Sequence, residues 1–127
     1  MTGSEQPHIL SDPEPDRLVA EAVALRRAGE LQAAAERFEQ ALARAPAHPG
    51  AHASYAMLLL DVGDVRGASA HAARAVELDP RRMSAHHVLG RARCMAGDRA
   101  AGIVSLRRAV ALRPDAFEAE LDLGKAL

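Results

Sequence analysis

The 127-residue sequence predicts an all-α fold, and three observations carry that prediction. Gly29, Gly63 and Gly97 stand 34 residues apart, and so do Pro46, Pro80 and Pro114. Each Gly opens an Ala-rich amphipathic run that its Pro closes: "AGELQAAAERFEQALARAP", "VGDVRGASAHAARAVELDP" and "AGDRAAGIVSLRRAVALRP". Ala is the best helix former, and the seven Pro fall in the N-terminal segment or at the repeat junctions. Only Phe38, Tyr55 and Phe117 are aromatic, so the interior must form by close helix approach rather than with large side chains.

In chain order, residues 1–14 carry Pro and Gly breaks and no periodic apolar stripe, which predicts a disordered lead. From about Asp16 the pattern is helix, tight turn, helix, loop, repeated. First helices are expected at 16–28, 49–62 and 83–96, with partners at 31–45, 65–78 and 99–112. A last helix, about 115–126, has no partner. The repeat domain therefore runs 15–127, divided as 15–48, 49–82 and 83–116 with a cap helix at 117–127.

Each Gly ends a first helix, where a left-handed residue lets the last carbonyls find donors without a Cβ penalty. Glu30, Asp64 and Asp98 follow at once, at the positive end of the next helix. Each Pro closes a second helix and restrains the residue before it. Small residues recur at fixed offsets: Ala34, Ala68 and Gly102; Ala41, Ala75 and Ala109; Ala22, Ala56, Gly90 and Gly124. These mark close contacts between helix axes. Leu25, Phe38, Leu42, Leu59, Val76, Leu89, Leu106 and Val110 supply the bulk between them.

On these residues the chain resembles the tetratricopeptide repeat family, over about 15–127. The resemblance implies a right-handed α-solenoid of three helix pairs plus a C-terminal capping helix. A plain antiparallel bundle would not need identical spacings at six or more offsets. The sequence departs from the family pattern at Leu18, His52, His86 and Glu120, which stand where a large aromatic is usual. Glu21 replaces a usual Leu, and Arg93 a usual Leu or Tyr.

Composition narrows the function classes. Sixteen basic against seventeen acidic residues offer no concentrated basic face for nucleic acid. The single Cys94 cannot form an intramolecular disulfide, and no charged-then-apolar leader opens the chain, so a cytoplasmic setting is expected. The longest wholly apolar run, "AMLLL", is far short of a membrane span.

Catalytic chemistry is not expected. His48 and His52 are four apart, but His48 lies in the Pro46–Pro49 junction, off the helix, and no carboxylate or Cys completes a metal set. His52 and His86 are one repeat apart, and the neighbours His86 and His87 point about 100° apart on a helix. Ser54, Ser69, Ser84 and Ser105 lie in helical repeats without an activating context. Cys94 reads as a small hydrophobe, although Arg91 nearby would lower a thiol pKa. No strand-to-helix Gly loop is present for a phosphate. No cofactor or metal is expected.

Stacked helix pairs form a concave surface that the family uses to hold peptides. By resemblance, the groove-facing places are Val19, Val23 and Arg26 in the first repeat, and Ala53, Met57 and Leu60 in the second. The third supplies Ser84, His87, Arg91 and Cys94, and the last helix Leu121 and Lys125. That lining runs from apolar to basic and implies a protein segment with an apolar stretch and an acidic group or free C-terminus. One branch of the family grips chaperone C-termini with Lys, Asn and Arg. The matching places here hold Val19, Val23, Ser54, Ser84 and Val88, so that clamp is absent. Two readings follow: a protein-binding scaffold or adaptor, and the N-terminal recognition module of a larger enzyme such as a bacterial transferase or hydroxylase. Leu121, Leu123 and Leu127 give the last helix apolar surface for a homodimer, while Glu120 and Asp122 give it the polar aspect of a cap.

Overall fold

The structure, a computed structural model, describes residues 13–127. The predicted lead at 1–14 therefore lies outside the described residues up to Asp12, and its last residue, Glu14, is already helical. Seven helices follow: α1 (Glu14–Arg27), α2 (Leu31–Arg44), α3 (Pro49–Asp61), α4 (Val65–Leu78), α5 (Met83–Met95), α6 (Arg99–Leu112) and α7 (Phe117–Ala126). No strand occurs among the described residues. The boundaries agree with the periodicity to within two residues. α1 starts earlier because Pro15 is tolerated in a first turn, where its missing N–H is not needed.

The tight turns are built alike. Gly29, Gly63 and Gly97 have φ of 84°, 87° and 93°, and a Cβ on any of them would meet nothing within 4 Å. Backbone sign, not space, is what requires glycine. Each turn is closed by a bond spanning five residues, Glu30 N to Leu25 O at 2.9 Å, Asp64 N to Leu59 O at 2.8 Å and Asp98 N to Arg93 O at 2.9 Å. Asp64 and Asp98 then cap the second helices, accepting from Gly67 N at 2.9 Å and Ala101 N at 3.2 Å. Glu30, one methylene longer, makes no side-chain cap bond.

The helices form two layers. α1, α3, α5 and α7 touch one another in succession, while α2, α4 and α6 each pack between consecutive first helices. The small residues sit where the layers meet: Ala22, Ala34, Ala41, Ala56, Ala68, Ala75 and Ala109 are fully buried. Gly90 and Gly102 let α5 and α6 approach most closely, since a Cβ on Gly102 would lie 2.9 Å from the Gly90 carbonyl oxygen. Phe38, Leu58, Leu106 and Val88 are the largest fully buried side chains. Gly124 holds the same repeat offset as Gly90, yet it is exposed because no eighth helix lies against α7 in these residues.

Histidines do the work of the missing aromatics. His52 Nε2 donates to the Pro46 carbonyl oxygen at 2.7 Å, and His86 Nε2 to that of Pro80 at 2.8 Å. Both therefore tie the start of a first helix to the preceding junction. A neutral His52 that donates through Nε2 carries its lone pair on Nδ1, so His71 must donate Nδ1–H to it across 3.0 Å. The rings of Phe38, Tyr55, His71 and His52 follow one another with centroids 5.5, 4.9 and 5.2 Å apart, the outer two pairs stacked and Tyr55 tilted by 51° to His71. Burial, and then the neighbouring His52, lower the His71 pKa, against a smaller upward pull from Asp64. The Tyr55 phenol, which donates to Glu39 at 3.0 Å, is pushed up to about 12 by burial first and by that carboxylate second.

Candidate functional site

A repeat of 34 residues places equivalent side chains of the first helices in columns across the inner layer. One column reads Val19, Ala53, His87 and Leu121; the next reads Val23, Met57, Arg91 and Lys125. A third reads Arg26, Leu60 and Cys94. Three adjoining hollows follow these columns. The first, about 140 Å3, lies between Val23, Arg26, Met57 and Ser84. The second and largest, about 400 Å3, is bounded by Arg26, Met57, His87, Arg91 and Asp122. The third, about 240 Å3, lies between Arg91, Cys94, Asp122 and Lys125. Shared walls at Met57, Arg91 and Asp122 make them one groove.

Most of the sequence-derived positions reach this groove, but not on equal terms. Val19 and Leu60 line none of the three hollows; Leu60 is 5 % exposed and belongs to the core with Val88 and Leu89. Ala53 and His87 border the groove while buried at 2 % and 5 % exposure, so they shape its floor. Met57, Ser84, Arg91 and Cys94 are half-buried, and Leu121 and Lys125 are exposed. Cys94 Sγ occupies the space that Gly102 leaves open, which accounts for a lone thiol here as packing.

The far end of the groove differs from the purely basic lining expected. Asp122, projecting from α7, approaches Arg91 Nε to 3.6 Å and accepts from His87 Nε2 at 2.7 Å. Arg91 also directs a nitrogen to Met57 Sδ at 3.1 Å. The guanidinium is thus held in place by α3 and α7 together, and an incoming carboxylate would compete with Asp122 for it. At the near end, Arg26 is tied to Asp61 of α3, with Nη2 to Oδ1 at 3.2 Å. Arg27 and Glu118 also border the largest hollow. The 34-residue translation would have exposed Arg27, since it shares a column with Asp61 and Met95. Nothing in the periodicity distinguishes Asp122 from a solvated cap residue.

Other departures from the family pattern find ordinary partners. Arg93 donates to Ser105 Oγ at 2.7 Å beneath the α5–α6 contact, and Glu21 receives Arg17 at 3.0 Å and Arg37 at 3.2 Å. His48 caps α3 by accepting from Ala51 N at 3.0 Å, and its Nε2 meets Asp16 at 2.6 Å. Among the described residues no group of three or more His, Cys, Asp or Glu is arranged to hold a metal ion.

The comparisons agree with this architecture. The chain matches the family model described as Tetratricopeptide repeat over residues 25–92. No curated protein matches it. Among solved structures it is similar to a mutant O-GlcNAc transferase of Thermobaculum terrenum, at 29% identity and a TM-score of 0.88. That likeness covers 98% of this chain but only 23% of the transferase. It is also similar to the Sgt2 TPR domain from Aspergillus fumigatus, at 23% identity, covering 96% of this chain and 82% of that one with a TM-score of 0.85. The first TPR of Spaghetti (RPAP3), solved bound to an HSP90 peptide, matches at 19% identity over 91% of this chain and 92% of that one, with a TM-score of 0.83. Period, turn chemistry, layered helix pairs and the family match converge: the chain belongs to the tetratricopeptide repeat family.

Proposed function

We propose that the chain is a non-catalytic protein-interaction scaffold that holds a peptide or protein segment in the groove along its first helices. The observation that carries this reading is the column Val23, Met57, Arg91 and Lys125, which grades from apolar to basic along one continuous depression. An extended segment lying along it would set apolar side chains against Val23 and the adaptable Met57. Its acidic side chain or C-terminal carboxylate would reach the half-buried Arg91, where partial desolvation strengthens a charged hydrogen bond, with the exposed Lys125 beside it. A neighbour solved with a bound HSP90 peptide supports peptides as the ligand class. The Lys, Asn and Arg clamp remains absent from Val19, Val23, Ser54, Ser84 and Val88, so the proposed ligand is not a chaperone tail held in that manner. Peptide arrays probed with wild type and Arg91→Ala test the reading. Loss of acidic-peptide binding in the variant supports it, and unchanged binding rejects it.

A second reading is favoured by the 29% identity to a transferase of which this chain spans 23%. Here the repeats would be the substrate-recognition module of a larger enzyme. The reading frame beyond the codon for Leu127 decides it: a catalytic domain in frame supports the module, and an immediate stop codon rejects it. Self-association through α7 belongs to the same set of proposals, since Phe117, Leu121 and Leu127 are 72%, 45% and 61% exposed. Light scattering on Leu121→Asp/Leu127→Asp tests it, with an oligomer lost in the variant expected and a wild-type monomer at high concentration refuting it.

A further inference from the structure

The outer faces of the second helices carry a pattern that neither the core nor the groove uses. The same five repeat positions are exposed in all three. α2 presents Gln32, Glu36, Glu39, Gln40 and Ala43. α4 presents Arg66, Ala70, Ala73, Arg74 and Glu77. α6 presents Ala100, Val104, Arg107, Arg108 and Ala111. At these five positions charge runs from acidic on α2 to basic on α6, with Arg44 also exposed at the end of α2, in a chain whose formal net charge is −1. Among the described residues, Glu36, Arg107 and Arg108 have no ion-pair partner, and Val104 between the charges is 66% exposed.

We propose that this outer face pairs two copies of the chain, α2 of each lying along α6 of the other about a two-fold axis parallel to α4. Such an axis preserves helix direction and reverses helix order, so repeat-equivalent positions come opposite one another. Glu39 then faces Arg107 of the second copy, Gln40 faces its Arg108, and the small Ala43 faces its Ala111. Glu36 faces Val104, one turn from Arg107. Each contact is made twice, as a two-fold interface requires. The crest of the face is α4, where Ala70 and Ala73 are short enough for the two copies to approach. The long Glu, Gln and Arg side chains stand on α2 and α6, to either side of α4. The unfavourable elements are Arg66, Arg74 and Glu77, each meeting its own copy at the axis; Arg74 and Glu77, 3.3 Å apart, offset one another, and Arg66 at the start of α4 does not share in that pair.

A long polyanion fits less well. α6 is bordered on one side by Glu120 of α7, and beyond α4 lie Glu36 and Glu39 of α2. Fifteen exposed side chains per copy fall below the roughly 20–30 of a standard interface, so the association is weak and depends on salt.

Sedimentation velocity of the full chain across a concentration series, at low and high salt, reads the pairing directly. The wild type is expected to dimerise reversibly, with a dissociation constant that rises about tenfold or more in high salt. Arg107→Glu sets two acidic groups against one another at the Glu39–Arg107 contact, and Glu39→Lys sets two basic groups there, at the loss of the exposed Tyr55 hydrogen bond. Each variant alone is expected to be monomeric, with the helical circular dichroism of the wild type, and an equimolar mixture to recover the dimer as a heterodimer. Restoration by mixing cannot come from misfolding. A wild-type monomer at low salt, a dimer indifferent to both reversals, or a mixture that stays monomeric would overturn the proposal. So would a dimer lost only in Leu121→Asp/Leu127→Asp, which would place the contact on α7. The groove reading is untouched by the two charge-reversal outcomes, since neither of those variants alters a groove residue.

Discussion

Gly90 and Gly124 occupy the same offset in successive repeats, yet alanine at the two positions should act in opposite directions. A Cβ on Gly90 would lie 2.7 Å from Leu106 Cγ and 3.0 Å from the Gly102 carbonyl oxygen. Neither neighbour can swing away, because one is the branch point of a fully buried Leu and the other is helix backbone. Alanine gains about 1 kcal/mol in helix propensity over glycine. Overpacking usually costs about 1–3 kcal/mol, and a contact of 2.7 Å, closer than real Cβ atoms come, puts Gly90→Ala in the upper part of that range. Gly90→Ala is therefore destabilising by about 1–2 kcal/mol. On Gly124 a Cβ meets nothing within 4 Å, so only the propensity gain remains, and fraying near the end of α7 trims it to roughly 0.5 kcal/mol. Thermal unfolding followed by circular dichroism measures both. For a domain of this size the midpoint should fall by roughly 5 °C in the first variant and rise by a degree or two in the second. Shifts of the same sign would refute the difference in packing between the two glycines.

His71 has a pKa lowered by burial and by His52, so the folded state binds fewer protons than the unfolded chain as pH falls below 6.5. Stability is full above that value and declines below it; chemical denaturation at several pH values should show a shallower acid decline in His71→Phe, and an identical decline would remove the assignment. Tyr55 is the single tyrosine and no tryptophan is present, so alkaline ultraviolet titration should place the phenolate near about 12, and a midpoint at the ordinary 10 would contradict its burial beside Glu39. Asp122→Asn keeps an acceptor for His87 but removes the carboxylate competing for Arg91, so acidic peptides should bind several-fold more tightly by fluorescence anisotropy. Unchanged or weaker binding would show that Asp122 does not occupy the ligand's place.

The fold was legible because a repeat states each structural requirement three times. Gly29, Gly63 and Gly97 share one positive-φ turn, and Ala34, Ala68 and Gly102 share one crossing, so chance agreement is excluded by the spacing itself. What the sequence concealed lies where equivalence breaks down. His71 has Arg37 and Ser105 at its equivalent positions, so nothing in the periodicity announced its pairing with His52. Asp122 follows Ser54 and Val88 in its column, and an acidic residue on a terminal helix reads as a solvated cap until α7 is seen folded over His87 and Arg91. Leu60 fits the expected lining by offset alone, but its column turns inward at the second repeat and the side chain is buried in the core. The charge gradient of the outer face was hidden by the near-balance of the whole chain, since opposite charges segregated by repeat cancel in a sum.

The groove column Val23, Met57, Arg91 and Lys125 is proposed to receive a peptide with an apolar segment ahead of an acidic end. An array of peptides varied in apolar content and in C-terminal charge, probed with wild type, Met57→Ala and Arg91→Ala at two salt concentrations, tests it most directly. Removing the charged hydrogen bond of Arg91 should cost about 1.5–3 kcal/mol, roughly tenfold or more in affinity for acidic peptides, and the loss should shrink as salt rises. Met57→Ala should weaken the apolar-rich peptides at both salt concentrations alike. If both variants retain every peptide that the wild type binds, the groove is not the binding site.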